Sequence, residues 1–251
     1  MRRRRIGVRR AEGRRRLKRL TLVLAAVAVI VLGLAATRSP LLDVDRVTVR
    51  GTEHTDPEAV LRAARVERGS PLVGVDTAAV ARRVEDLPWV AEAHVGRSWP
   101  SMVTIRVTER APAATLRVNA DQVALVDDSG RILSFEPVAD EAAPEDGGPV
   151  VLTGVDGRLP EGGRLGADAR SALAVAIAVR DRMPGAVASV STDLDAVLVE
   201  GGTIRFGSTA RLDDKVTAAQ TVLDQVDTGC LEVLDVRVPG SPALTRNQRC
   251  S

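Results

Sequence analysis

The chain contains no tyrosine, two phenylalanines (Phe135 and Phe206) and two tryptophans (Trp89 and Trp99) in 251 residues. A single-stranded nucleic-acid surface needs aromatic faces interleaved with basic residues, and that supply is missing. The two histidines, His54 and His94, lie forty residues apart. Neither falls in H-E-x-x-H or beside a cysteine pair, so the sequence supports no zinc site. It has no G-x-S-x-G, no C-x-x-C and no P-loop, the patterns of nucleophile-elbow, dithiol and phosphate-cradling chemistry. Gly162-Gly163-x-x-Gly166 lacks the dinucleotide spacing and reads as a loop. The acid pairs Asp127-Asp128 and Asp213-Asp214 are better explained by a turn and a helix start than by a carboxylate site. His54 and His94 read as ordinary surface or packing residues. Trp89 and Trp99 sit at junctions of predicted strands, where core packing outweighs ligand stacking. Elimination leaves an interaction module, with no cofactor, no small-molecule substrate and no nucleic acid, as the expectation.

Lysine is scarce too: 33 Arg stand against 2 Lys, a bias of GC-rich bacterial genomes. Residues 1–19 hold ten Arg, Lys18 and one acid, Glu12, for a formal +10; the whole chain is +2, so residues 20–251 carry −8. Between these parts lies Leu20–Ala36, seventeen uncharged residues with Thr21 as the only polar side chain. As a helix it rises roughly 25 Å; Thr37 and snorkelling Arg19 and Arg38 extend it towards the ~30 Å of a bilayer core. It is apolar all round, unlike an amphipathic helix. The expectation is a basic cytoplasmic tail over 1–19, a transmembrane helix over 20–37 and an acidic extracytoplasmic part, hence a single-pass type II membrane protein. The tail also suits anionic lipid. The competing reading is a cleaved signal peptide, but the basic region and apolar core are long and the exit at Gly33, Ala35 and Ala36 is a mediocre cleavage site. Cys230 and Cys250, the two cysteines, fall in the exported part, where one disulfide is permitted; two unpaired thiols are the alternative.

Beyond the helix, residues 42–50 alternate as a strand with an irregularity near Arg46, ended by Gly51. Thr55-Asp56-Pro57-Glu58 is a helix start with Thr55 as cap and Glu58 completing a capping box. Ala59, Val60, Ala63 and Ala64 give that helix its apolar stripe. A second helix begins at Asp76, with Ala79, Val80, Ala81 and Val84 inward. Val90-x-x-Ala93-x-Val95 is a strand, Trp99-Pro100 a turn, and Val103-x-Ile105-x-Val107 a strand with one buried face. The order over 42–111 is β-α-α-β-β. Short strands follow at 116–118, 123–126 and 132–133, the last two joined by the turn Asp127–Gly130. Residues 136–149 read as an acid- and Pro/Gly-rich loop. Then come an extended segment at 149–154, a helix over 167–181, strands at 187–190, 196–199 and 203–206 with a tight turn at Gly201-Gly202, a helix over 211–226, and a closing strand at 233–239 followed by an extended segment, 242–246.

The passage from Pro88 to Pro112, P-W-V-x-x-A-x-V-x-R-x-W-P followed by I-x-V-x-E-R-x-P, resembles the POTRA domain of the FtsQ/DivIB cell-division family. The basic tail, the single anchor, the Asp127-x-x-Gly130 turn and Asp235-x-Arg237 resemble the same family, and the arginine bias suits an actinobacterial member. The resemblance implies an α+β ectodomain: a POTRA domain over 42–111, a mixed α/β FtsQ-type β domain over 112–246, and a tail, 247–251. It also implies an interaction module, a divisome scaffold at the septum that links early and late division proteins and binds FtsB, itself paired with FtsL. The positions matching the family's capture segment are Val238, Ser241, Ala243, Leu244, Thr245 and Arg246, with Arg211 at the start of the preceding helix. An exposed sheet edge binds such a segment by strand addition, although Pro239 and Pro242 each lack a backbone donor. The rival readings are a POTRA-containing export or envelope-assembly factor, for which one unit without a barrel is unusual, and an anchored cell-wall hydrolase, for which no nucleophile or convergent acids stand out.

Overall fold

The computed structural model describes residues 19–31, 42–138, 149–155, 159–247 and 250. Residues 19–31 form a helix, α1, with exposed side chains. The remainder of the expected span, 32–37, and the tail 1–18 lie outside the described residues. Among the described residues no helix is long and apolar enough to cross a membrane.

The chain divides into two compact units, one built from Met1–Thr52, Asp56–Val84 and Glu92–Val107, the other from Glu53–Thr55, Glu85–Ala91 and Thr108–Ser251. The first carries a three-stranded sheet in the order β1 (Arg46–Arg50), β3 (Met102–Glu109), β2 (Val90–Ser98), with β1 parallel to β3. Val103, Ile105 and Val107 are buried while Thr104 and Arg106 alternate to the other face, as a half-buried strand requires. Helices α2 (Pro57–Ala64) and α3 (Thr77–Glu85) supply Val60, Ala64, Val80 and Val84 to the interior. The cap of α2 is Asp56, whose carboxylate accepts from the Glu58 N–H at 3.0 Å, and not Thr55 as the sequence suggests. The Thr55 N–H is instead committed to Glu109 at 2.8 Å. The first strand also starts later than residue 42, because the Val44 N–H pairs with Ser70 O at 2.8 Å, outside the sheet. Gly51 ends β1 at φ +83°, where a Cβ would lie 2.2 Å from Val107 O, so the turn admits only glycine.

Trp89 is 8% exposed, as expected of a packing residue, but Trp99 is 58% exposed. Trp99 lies in the turn between β2 and β3, joined to Pro100 by a cis peptide, and the turn carries its ring into solvent.

The second unit holds a nine-stranded mixed sheet in the order β12-β11-β10-β9-β8-β7-β4-β5-β6. Its strands are β4 (Pro112–Arg117), β5 (Gln122–Asp127), β6 (Ile132–Pro137), β7 (Val150–Thr153), β8 (Val187–Ser191), β9 (Asp195–Leu198), β10 (Thr203–Arg205), β11 (Leu231–Asp235) and β12 (Ala243–Arg246). The pairs β4–β7, β7–β8 and β10–β11 are parallel. Helix α4 (Ala167–Arg182) crosses between β7 and β8, and α5 (Leu212–Leu223) between β10 and β11, as parallel neighbours demand. Ala172, Leu173, Val175, Ala176 and Val179 of α4 join Val216 and Ala219 of α5 and the inner residues of the strands in one core, with Phe206 fully buried. Two expectations shift here. Residues 136–137 belong to β6 rather than to a loop. The strand expected at 233–239 is β11, which stops at Asp235, because the Asp235 carboxylate accepts from the Arg237 N–H and guanidinium and folds the chain out of the sheet.

Candidate partner-binding surface

β12 is the terminal strand of its sheet. It pairs antiparallel with β11 through Leu234↔Leu244 and Asp235↔Ala243, and among the described residues has no strand on its other side. Ala243, Thr245 and Arg246 are exposed, whereas Leu244 is half-buried against the core. Both prolines in question, Pro239 and Pro242, fall outside β12, so every residue of the strand keeps its N–H. Val238, 63% exposed, and Ser241, whose N–H donates to Val238 O at 3.0 Å, form the turn that feeds the strand. Arg211 stands apart from that group at the N-cap of α5, in a left-handed conformation (φ 55°), its Nε donating to Asp214 at 2.8 Å.

Two devices hold these pieces. Cys230, just before β11, and Cys250, beyond β12, are joined in a disulfide with Cα atoms 5.6 Å apart, closing the β11–β12 pair into a covalent loop. Lys215 on α5 is 3% exposed and has no carboxylate partner among the described residues; its ammonium donates to Phe206 O (2.9 Å), Ser208 O (2.8 Å) and Ser208 Oγ (3.0 Å). That uses all three donors of the ammonium and ties α5 to the loop after β10, while burial lowers the Lys215 pKa. Sequence reading passed over Lys215, for which the only signal is that it is the single lysine after Lys18.

A second polar cluster gathers residues of the E-R-x-P passage. The Glu109 carboxylate, 11% exposed, accepts from the N–H groups of Glu53 (3.1 Å), His54 (3.0 Å) and Thr55 (2.8 Å), and approaches His54 Nδ1 at 3.1 Å. Burial alone raises its pKa, but the hydrogen bonds from His54 and Thr55 outweigh it and leave the carboxyl at about 2. The His54 ring stacks on Trp89 with centroids 4.3 Å apart and planes 4° from parallel. Arg110 donates to Asp127 (2.7 Å) and Val90 O (3.0 Å). Asp127 also accepts from Ser129 Oγ (2.8 Å) and the Arg131 N–H (2.7 Å). Asp127 is therefore more than the turn acid its sequence context implies. Thr55 Oγ1 and Arg131 Nε are buried without a hydrogen-bond partner among the described residues, while the carboxylates of Glu109 and Asp127 are met by donors from the chain and brace the segments they join. Among the described residues no group of three or more His, Cys, Asp or Glu is placed to hold a metal ion.

Residues 42–110 match the POTRA domain, FtsQ-type, family model. The cell division protein FtsQ of Streptomyces bingchenggensis is 33% identical over 250 residues, covering 94% of this chain and 91% of that protein. The chain belongs to the FtsQ family of cell-division proteins. FtsQ of Streptomyces collinus is 34% identical over 248 residues (93% of this chain, 90% of that protein), and FtsQ of Corynebacterium glutamicum 32% over 215 residues (82% and 90%). The resemblance carried by Pro88–Pro112 is thus borne out, including its actinobacterial bearing, and a mixed α/β unit accompanies the FtsQ-type POTRA domain. Similarity of FtsQ type extends over nearly the whole chain, well beyond the family-model match.

Proposed function

We propose that this chain is a non-enzymatic scaffold of the bacterial divisome, a single-pass type II protein of the plasma membrane enriched at the septum. In this reading residues 1–19 are cytoplasmic and touch anionic lipid, 20–37 cross the bilayer, and the POTRA domain (42–111) and β domain (112–246) lie outside. The scaffold links early and late division proteins by capturing FtsB, itself paired with FtsL, on β12. The observation that carries the reading is the place of β12: a terminal strand with three of four side chains exposed and no proline within it. Strand addition there extends the sheet, with backbone hydrogen bonds supplying affinity and alternate side chains the register.

The test is co-purification from membranes. Leu244 is half-buried in the core, so Leu244→Asp probes folding as well as binding; the exposed pair Ala243→Asp/Thr245→Asp isolates the edge. The double variant is expected to stay in the membrane fraction and lose FtsB and FtsL, and undiminished recovery of FtsB refutes the assignment of β12. A tag placed before Met1 tests the anchor, since loss of that tag from the membrane-bound protein refutes an uncleaved helix. A fluorescent fusion is expected to gather at septa.

A further inference from the structure

The three-stranded sheet has one face turned to the interior and one open. Val103, Ile105 and Val107 of β3 point inward, and α2 packs on β1. The open face carries Arg46 and Arg50 from β1 and Arg106 from β3, all exposed. Register places Arg50 directly beside Arg106, with Thr48 beside Thr104 in the middle and Arg46 beside Met102 at the far end. The Thr104 hydroxyl lies 3.4 Å from Ser98 Oγ of β2, so the ground between the arginines is hydroxyl-bearing.

Like charges directly opposed on neighbouring strands are unfavourable unless an anion sits between them. No such anion comes from the described residues of the chain. Among the described residues none of the three guanidiniums forms an ion pair or a side-chain hydrogen bond, whereas the exposed Arg211 and Arg237 each meet a carboxylate. The nearest acid in sequence, Asp45, pairs with none of them, and Glu92 on β2 is 3.5 Å from His94. Arginine forks match phosphate oxygens in bidentate fashion, and hydroxyls complete the shell of such a group. The covalent chain supplies the position of the anion. Eight residues lie between Thr37 and Arg46, a reach of at most about 32 Å, so a sheet that follows the anchor cannot leave the neighbourhood of the bilayer surface.

We propose that the open face of this sheet is a membrane-docking face, with Arg46, Arg50 and Arg106 binding the phosphates of anionic phospholipid headgroups in the outer leaflet of the membrane that anchors the chain. The proposal rests on the anchor reading above and goes beyond it, since anchoring by α1 alone leaves the orientation of the sheet to the bilayer open. Docking sets that orientation, and its strength follows the anionic lipid content.

The experiment uses the full-length protein carrying Thr104→Cys, labelled there with a fluorophore; the two native cysteines are engaged in their disulfide. It is reconstituted into vesicles of phosphatidylcholine alone or of phosphatidylcholine with phosphatidylglycerol, each doped with a lipid bearing a headgroup nitroxide. Quenching is expected to be several-fold stronger in the anionic vesicles. The triple variant Arg46→Gln/Arg50→Gln/Arg106→Gln is expected to fall to the level in neutral vesicles while melting at the same temperature. Equal quenching in both lipids, or quenching untouched by the triple variant, overturns the docking face. Failure of the protein to insert, seen as release by alkaline wash, is a separate result that overturns the anchor reading and the docking face with it. Protection of the same thiol in cells without quenching in anionic vesicles assigns the face to an acidic protein and also overturns the lipid assignment.

Discussion

Arg110 donates through Nη1 to Oδ2 of Asp127 at 2.7 Å, and the pair is nearly dry, with Arg110 19% and Asp127 2% exposed. The carboxylate takes two further donors, Ser129 Oγ and the Arg131 N–H, while Arg131 in turn donates to Asp86 O at 2.7 Å. One buried charge thus organises the turn after β5 and the segment before β2.

Removing the cation from such a pair leaves a buried charge without compensation. Arg110→Ala is expected to cost about 3–5 kcal/mol, measured by denaturant unfolding. Arg110→Lys is expected to recover little, because one ammonium does not reproduce the two directions in which Nε serves Val90 O and Nη1 serves Asp127. Full stability in Arg110→Ala removes the pair from the account of this fold.

Acid should act through Glu109. Its folded pKa is about 2 against an ordinary 4.5, so the stabilisation is present above pH ~4.5 and is lost as pH falls from there through about 2. Asp127 is shifted down as well: burial opposes the shift, and the hydrogen bonds from Arg131, Ser129 and Arg110 outweigh it, so both groups act with the same sign. After allowance for solvent screening the Glu109 contribution is about 1–2 kcal/mol. Glu109→Gln is expected to flatten the acid limb of a stability–pH curve between pH 4.5 and 2. A curve with an unchanged limb counts against the three backbone hydrogen bonds as its source.

The disulfide closes a loop of sequence separation 20 around the terminal strand. Chain-entropy estimates for a loop of that size give about 3 kcal/mol. Cys230→Ser/Cys250→Ser is expected to lower the melting temperature and to speed amide exchange in Ala243–Arg246 before the rest of the sheet. A reductant should reproduce this in the parent chain and do nothing to the double variant. Exchange that is equally slow at β12 in both refutes the clasp.

The two tryptophans should behave oppositely. Trp89, buried and stacked on His54, is expected to lose about 3–5 kcal/mol on truncation to Ala. Trp99, 58% exposed, is expected to lose no more than about 0.5 kcal/mol. Acrylamide should quench the emission of Trp89→Phe, which retains Trp99, far more than that of Trp99→Phe. Equal quenching contradicts the burial difference.

Much of the fold was legible from local pattern. The alternation of Val103, Ile105 and Val107, the stop at Gly51, the helix behind Pro57 and the apolar stripe of α4 are each written within a few consecutive residues, the range over which periodicity and capping act. The boundaries that slipped did so where a distant group intervened. Val44 was drawn from the strand by Ser70, Thr55 from its cap by Glu109, and the end of β11 was fixed by the side chain of Arg237. For the candidate surface, the positions 243–246 were legible as an extended segment, but their place at the end of the sheet was not, since that depends on β11 pairing with β10 on one side and β12 on the other.

By itself, then, the sequence determined the family, through the passage from Pro88 to Pro112, together with the kinds and order of most elements and the absence of recognisable catalytic motifs. All of these follow from residue types and short spacings. Only the tertiary structure decided why Glu109 and Arg110 stand in that passage, that Asp127 is a buried anchor, that Trp99 faces water, that Cys230 meets Cys250, and that Arg50 lies beside Arg106 without an acid between them. The physical reason is the same in each case. The partners are separated along the chain and come together only when strands take their register, and burial, hydrogen bonding and charge pairing have no value until that register is set.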